Sequence, residues 1–170
     1  MGNDLDKIMQ YVNTGEVNSG GANTILNSGA IGSCLVITAY DPVMNVGAMA
    51  HVMLPGSFRF KNQSQTTMYA ADAIEEMLSQ LNKIGTEIEN IEICLVGGAN
   101  VLKRENDSIG KDNLDSVEKL LSQKQIKIKA RSVGGFERRT ALFDIAKGCI
   151  YFTVGDQKQK ILWQTGSKQK

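Results

Sequence analysis

Residues 34–55 read CLVITAYDPVMNVGAMAHVMLP, and the way this stretch folds decides the rest. CLVITAY (34–40) is a nearly continuous apolar run with β-branched members, the mark of a buried strand. DPVMN (41–45) supplies turn chemistry, and VGAMAHVML (46–54) is a second apolar run that stops at Pro55. The two runs predict a buried β-hairpin. With Tyr40 opposite Gly47 across the turn, antiparallel counting places His51 opposite Val36. Side chains alternate with period two, so Cys34 and Val36 share a face. Cys34 and His51 then become diagonal neighbours on one side of the sheet, about 7–8 Å apart at the backbone. A single bulge in the turn would send the ring to the other face.

Around this hairpin the chain has the length of one compact domain, 170 residues, with 42% apolar and 22% charged residues. One domain is expected over 1–170, with its core at about 12–155 and frayed ends. The net charge is +1. Lys124 to Lys129 and Lys158 to Lys170 are mildly basic, but no aromatic residues alternate with them, so nucleic acid is not an expected partner. The start, MGNDLDKIMQ, lacks a basic-then-apolar signal, and no run of about eighteen apolar residues occurs, so membrane insertion is not expected either. Cysteines 34, 94 and 149 are odd in number and widely spaced, and a single histidine cannot anchor a zinc cluster. These features describe a reduced cytoplasmic protein without metal or organic cofactor, whose thiols are free for chemistry.

Beyond the hairpin, residues 13–30 are rich in Gly, Asn, Ser and Thr and read as loop with a short strand. From Thr67 to Gly85 the period becomes helical: Ala70, Ile74, Met77, Leu78, Leu81 and Ile84 share a face, Thr66 or Thr67 caps the start and Gly85 closes the end. IENIEICLV (88–96) enters the sheet and stops at Gly97-Gly98. A second helix spans about Lys111 to Gln123, with KIKARSV (127–133) after it. TALFDI (140–145) and CIYFTV (149–154) flank AKG as a second hairpin. The expected class is α/β: a layered sandwich with a mixed β-sheet containing the buried hairpin, packed with at least two helices.

The chemistry turns on Cys34 and His51. A thiol acts as nucleophile through its thiolate, which a neighbouring histidine or a ring of backbone N–H groups favours. Gly29, Gly32 and Ser33 allow a tight turn before Cys34 that can aim N–H groups at a developing oxyanion. The plain alternative is that both residues are packing, and spacing alone does not separate the two. Gly97-Gly98-Ala99-Asn100 fits neither nucleotide-binding pattern, GxGxxG or GxxxxGK[ST], and is simplest as a strand-end turn passing near Cys34, with Asn100 as a candidate substrate contact. Cys94 and Cys149 lie within apolar strands and read as packing residues. Phe58 and Phe60 in a polar loop are either a protein-contact patch or a lid.

The order of residues adds more. GSCLVITAYDPVMNVGAMAHVMLP (32–55) closely resembles the signature of the CheD family, chemoreceptor glutamine deamidases of prokaryotic chemotaxis. The match includes Gly32, Ser33, Cys34, Asp41, Pro42, Gly47, Met49, Ala50, His51, Leu54 and Pro55. Tyr69-Ala70, Gly97-Gly98-Ala99, Ile109-Gly110 with Asn113, and Gly134-Gly135 with Arg138 or Arg139 follow in the family's order. The resemblance covers about residues 12–155. It implies a layered α/β fold and a Cys34–His51 pair with a hydroxyl third member at Ser28, where the family usually has threonine. It further implies hydrolysis of a glutamine side chain through a thioester, with backbone N–H groups near Gly32 and Ser33 holding the oxyanion. No cofactor is implied. The implied partners are the cytoplasmic helices of chemoreceptors and a CheC-like phosphatase of the response regulator. Two alternatives stand beside this: a catalytically weak binding module that regulates such a phosphatase, which the Ser28 departure favours, and a small-molecule amidase.

Overall fold

Asp41 is fully buried at the hairpin turn, and its Oδ1 accepts from the N–H groups of Val43 (2.8 Å) and Met44 (3.2 Å). Asn45 closes the turn in the left-handed region (φ 52°), where its Oδ1 takes the Tyr40 hydroxyl at 3.0 Å. The computed structural model, which describes residues 6–59 and 66–166, thus gives the hairpin the predicted turn chemistry. Its strands pair without a register shift, Tyr40 opposite Gly47 and Val36 opposite His51.

In chain order the elements are β1 (Ile8–Tyr11), β2 (Val17–Gly20), β3 (Thr24–Ile31), β4 (Leu35–Asp41), β5 (Val46–Val52), α1 (Ala70–Lys83), β6 (Glu92–Gly97), α2 (Ile109–Gln123), β7 (Ile128–Val133), β8 (Arg139–Asp144), β9 (Cys149–Val154) and β10 (Lys160–Gln164). They form two five-stranded sheets, β1-β3-β8-β9-β10 and β2-β5-β4-β6-β7. Each is mixed, with one parallel pair: β1 with β3 in the first, β6 with β7 in the second. The expected layered α/β sandwich is what forms, with two sheets where the sequence predicts one.

Strand β4 is buried on both faces, and the alternation of its side chains builds two cores. Leu35, Ile37 and Ala39 join Ala48, Ala50 and Val52 of β5 beneath the helices, against Ile74, Met77 and Leu81 of α1 and Val117 and Leu121 of α2. Val36 and Tyr40 face the other way with Met49, meeting Leu26, Phe143 and Ile150 of the first sheet. Tyr40 and Phe143 meet edge to face, centroids 5.7 Å apart. Each buried Val, Leu, Ile or Met among them contributes about 1.5–3 kcal/mol, so the hairpin is the strand pair on which both layers depend.

Two expectations change. Residues 13–30 hold two strands, and β3 runs for eight residues. Its alternation is hidden because Thr24 and Ser28 occupy buried positions beside Leu26 and Ile31. Helix α1 begins at Ala70 with no side-chain cap; Thr66–Met68 make a short 3-10 turn, and the Thr67 hydroxyl donates instead to the Gly15 carbonyl. Gly85 ends the helix as expected, at φ 101°. Paired strands extend beyond 12–155 on both sides, to β1 and β10.

Candidate active site

Cys34 stands at the start of β4 and packs against the core between the sheets. His51 lies opposite Val36, a member of that same core, so its ring projects to the same side. The hairpin therefore brings the two predicted residues to one face, as the counting required. Cys34 is half-buried, whereas His51 is only 3% exposed.

The segment 12–16 grips His51 at three points. Gly15 N–H donates to the His51 carbonyl (2.8 Å), His51 N–H donates to the Glu16 carbonyl (3.0 Å), and His51 Nδ1 lies 2.9 Å from the Val12 carbonyl oxygen. A carbonyl only accepts, so Nδ1 carries the proton and Nε2 is left as the basic nitrogen. Burial holds the imidazole below its ordinary pKa, opposed by the Val12 carbonyl and the Glu16 carboxylate. The ring is thus neutral and fit to accept a proton.

Burial likewise pushes the Cys34 thiol up, and this outweighs the hydrogen bonds from the Thr14 hydroxyl and from its own backbone N–H. Both shifts have the same cause, burial, and both favour the neutral form of the group. Thr14 belongs to the same segment as Val12, and its hydroxyl is a site group that the sequence did not single out.

The turn before Cys34 is held by its carbonyls. The Gly32 oxygen accepts from Ala99 N–H (3.0 Å), the Ser33 oxygen from Asn113 Nδ2 (3.0 Å) and the Cys34 oxygen from Gly98 N–H (2.8 Å). Among the described residues, the N–H groups of Ser33 and Cys34 enter none of the main-chain bonds outside the strands. Gly97 makes this docking possible: its φ is 119°, and a Cβ there would sit 2.4 Å from the Cys34 oxygen.

Two predicted residues are occupied elsewhere. Ser28 lies where the β3–β8 register shifts, between Asn27 and Ala30. Its hydroxyl donates to the Gly29 carbonyl and accepts from Ala141 N–H, both at 2.8 Å, standing in for a ladder acceptor that the bulge removes. The polar partner of His51 Nδ1 is Val12, not Ser28. Asn100 closes its own loop, with Nδ2 donating to the Arg104 carbonyl (2.8 Å) and Oδ1 accepting from Arg104 N–H (3.2 Å). Cys94 and Cys149 are buried as packing residues, the thiol of Cys94 pushed up to about 12 by burial. Phe58 meets Tyr69 in a tilted ring contact, centroids 5.4 Å apart, next to the start of α1, and Phe60 lies outside the described residues. Among the described residues no group of His, Cys, Asp and Glu is arranged to hold a metal, and no helix is long and apolar enough to cross a membrane.

Fold and site together define a two-sheet α/β sandwich carrying a cysteine and a histidine at the open end of its central hairpin. The family model described as CheD chemotactic sensory transduction matches residues 53–153, and the chain belongs to the CheD family. It is 41% identical over 150 residues to a protein of Chlorobium luteolum named a probable chemoreceptor glutamine deamidase, covering 88% of this chain and 75% of that one. A namesake from Clostridium kluyveri is 32% identical over 149 residues, 85% of this chain and 92% of the relative. The chemoreceptor glutamine deamidase of Thermotoga maritima is 36% identical over 118 residues, 69% and 74% of the two chains.

Proposed function

We infer that this protein is a cytoplasmic chemoreceptor glutamine deamidase, a hydrolase that converts receptor glutamine side chains to glutamate by way of a Cys34 thioester. The observation that carries the mechanism is the Val36–His51 register, which sets sulfur and imidazole on one face while Val12 reserves Nδ1. His51 Nε2 takes the thiol proton as the sulfur attacks the carboxamide carbon. The N–H groups of Ser33 and Cys34, in the turn that opens at Gly32, face the developing oxyanion. Collapse of the tetrahedral species breaks the C–N bond, and His51 gives its proton to the departing ammonia. Water then attacks the thioester with His51 as base, releasing glutamate and restoring the thiol. One water is consumed and one ammonia released per turnover.

The partners are those that the resemblance to the family implies. Each conversion adds one negative charge to a receptor helix, changing repulsion between neighbouring helices. The substrate is a glutamine on the cytoplasmic helices of a methyl-accepting chemoreceptor, and a CheC-like phosphatase is the second partner. Ammonia release from a receptor cytoplasmic fragment, with glutamate located in that fragment by mass spectrometry, tests the assignment. Release from free glutamine at the same rate would move it to the small-molecule amidases.

A second reading has its own observation. The thiol is pushed up rather than down, and the Ser28 hydroxyl is committed to the bulge. Both fit a weak enzyme whose main work is regulating the phosphatase. A Ser28→Thr variant with greatly raised kcat would favour this reading.

A further inference from the structure

Asn113 sits on α2 with no exposed surface, yet it is polar. Its Nδ2 donates to the Ser33 carbonyl (3.0 Å) and to the Met53 carbonyl (3.1 Å). Both acceptors are carbonyls, so only this orientation of the amide makes both bonds. The remaining oxygen, Oδ1, is buried without a hydrogen-bond partner among the described residues. A buried amide with an orphaned oxygen is a poorer packing element than an apolar side chain of the same shape. Its two donors are what distinguish it there.

The two acceptors lie at telling places. Ser33 precedes Cys34, and Met53 follows His51 by two residues, so one amide ties together the strand ends that carry both reacting groups. In a trans peptide the carbonyl and the following N–H point in opposite directions. Holding the Ser33 oxygen toward α2 therefore turns the Cys34 N–H away from the helix, to the side of the sulfur. The same N–H favours the Cys34 thiolate, opposing the upward push of burial. The helix itself is seated closely: a Cβ on Gly110 would come 2.6 Å from the Gly98 oxygen, and Gly98 N–H holds the Cys34 carbonyl.

We propose that Asn113 is a positioning residue which, by clamping the Ser33 and Met53 carbonyls, aims the Cys34 N–H at the oxyanion and fixes the sulfur relative to His51. The claim rests on the deamidase reading for its effect on turnover, but its effect on the thiol is independent of substrate. It makes α2, which contributes no reacting group, part of the catalytic geometry.

The test compares Asn113→Ala and Asn113→Asp with Val117→Ala, a buried core change on the same helix. Three readouts are taken on the full chain: thermal stability, ammonia release from a chemoreceptor cytoplasmic fragment, and the pH midpoint of Cys34 alkylation by iodoacetamide followed by mass. Both Asn113 variants should lower kcat by about 10²-fold, as a misplacement of about 1 Å does, with KM little changed. Their alkylation midpoint should rise, while Val117→Ala loses stability and keeps the other two values. Asn113 variants that behave like Val117→Ala overturn the proposal. Should Asn113→Ala fail to fold, Gly110→Ala keeps the amide but lifts the helix from Gly98; it should move the same two readouts, and unchanged values overturn the claim. If the native chain releases no ammonia, the deamidase reading fails and the alkylation midpoint alone decides: a rise in the Asn113 variants supports the clamp, and no rise overturns it.

Discussion

The Nδ1 atom of His51 lies 2.9 Å from the carbonyl oxygen of Val12, thirty-nine residues earlier in the chain. A main-chain group thus fixes this nitrogen, and it cannot be removed by substitution at Val12. Its consequence is a ring held as the Nδ1–H tautomer with a basic Nε2.

That ring titrates below its ordinary 6.5 because it is buried. The acid limb of kcat/KM should therefore have its midpoint below pH 6.5, and a limb at or above that value would contradict the burial argument. The same shift bears on stability. Below 6.5 the unfolded chain binds the proton first, so stability present at higher pH falls as pH drops from 6.5 through the folded value. In a His51→Gln variant this part of the acid dependence should vanish, which denaturant titration between pH 7 and 5 would show.

Ser28→Ala should act chiefly on stability. It leaves the Ala141 N–H without its acceptor in a buried bulge, a loss of about 1–3 kcal/mol in denaturant unfolding. A stability unchanged from the parent would mean that the bulge finds another acceptor.

How much of this was legible beforehand depends on what kind of group carried the information. The hairpin register was open to counting, because β4 and β5 are apolar runs around an Asp-Pro turn and one pairing fixes all the others. Strand β3 was not, since Thr24 and Ser28 hold buried positions and polar letters mask the alternation. Cys34 and His51 stand out in the sequence because their chemistry is written in their side chains, and the register puts both on one face. The Val12 carbonyl was invisible for the opposite reason: any residue there presents the same oxygen. The Thr14 hydroxyl at Cys34 and the Asn113 bonds to the Ser33 and Met53 carbonyls are made only when segment 12–16 and helix α2 close on the hairpin. Ser28 was placed by analogy with a hydroxyl position, and the bulge between Asn27 and Ala30 gave that hydroxyl other work.

Gly97→Ala should be among the most damaging single-atom changes in the chain. It forces a side chain into φ 119° and sets a Cβ 2.4 Å from the Cys34 oxygen. A loss of about 1–3 kcal/mol follows from the strained backbone alone, with further loss from the collision. Thermal unfolding measures it, and a variant as stable as the parent would show that the Cys34 turn can move away.

Thr14→Val should raise the pH at which Cys34 becomes reactive, because the Thr14 hydroxyl favours the thiolate. Iodoacetamide alkylation across pH, read at Cys34 by mass spectrometry, checks the direction. An unchanged profile would remove Thr14 from the site. The raised thiol carries the opposite stability sign to the histidine: above the ordinary thiol value the unfolded chain releases the proton first, so stability falls as pH rises toward the folded value.

On the proposed mechanism, one sulfur and one imidazole, joined by the hairpin register, hydrolyse a carboxamide. Ammonia release from a chemoreceptor cytoplasmic fragment by the native chain, Cys34→Ala and His51→Gln tests it most directly. The expected result is turnover by the native chain, none above background with Cys34→Ala, and a loss of about 10²–10⁴-fold with His51→Gln. Turnover that survives the loss of the sulfur, or a His51→Gln enzyme at full rate, would contradict it.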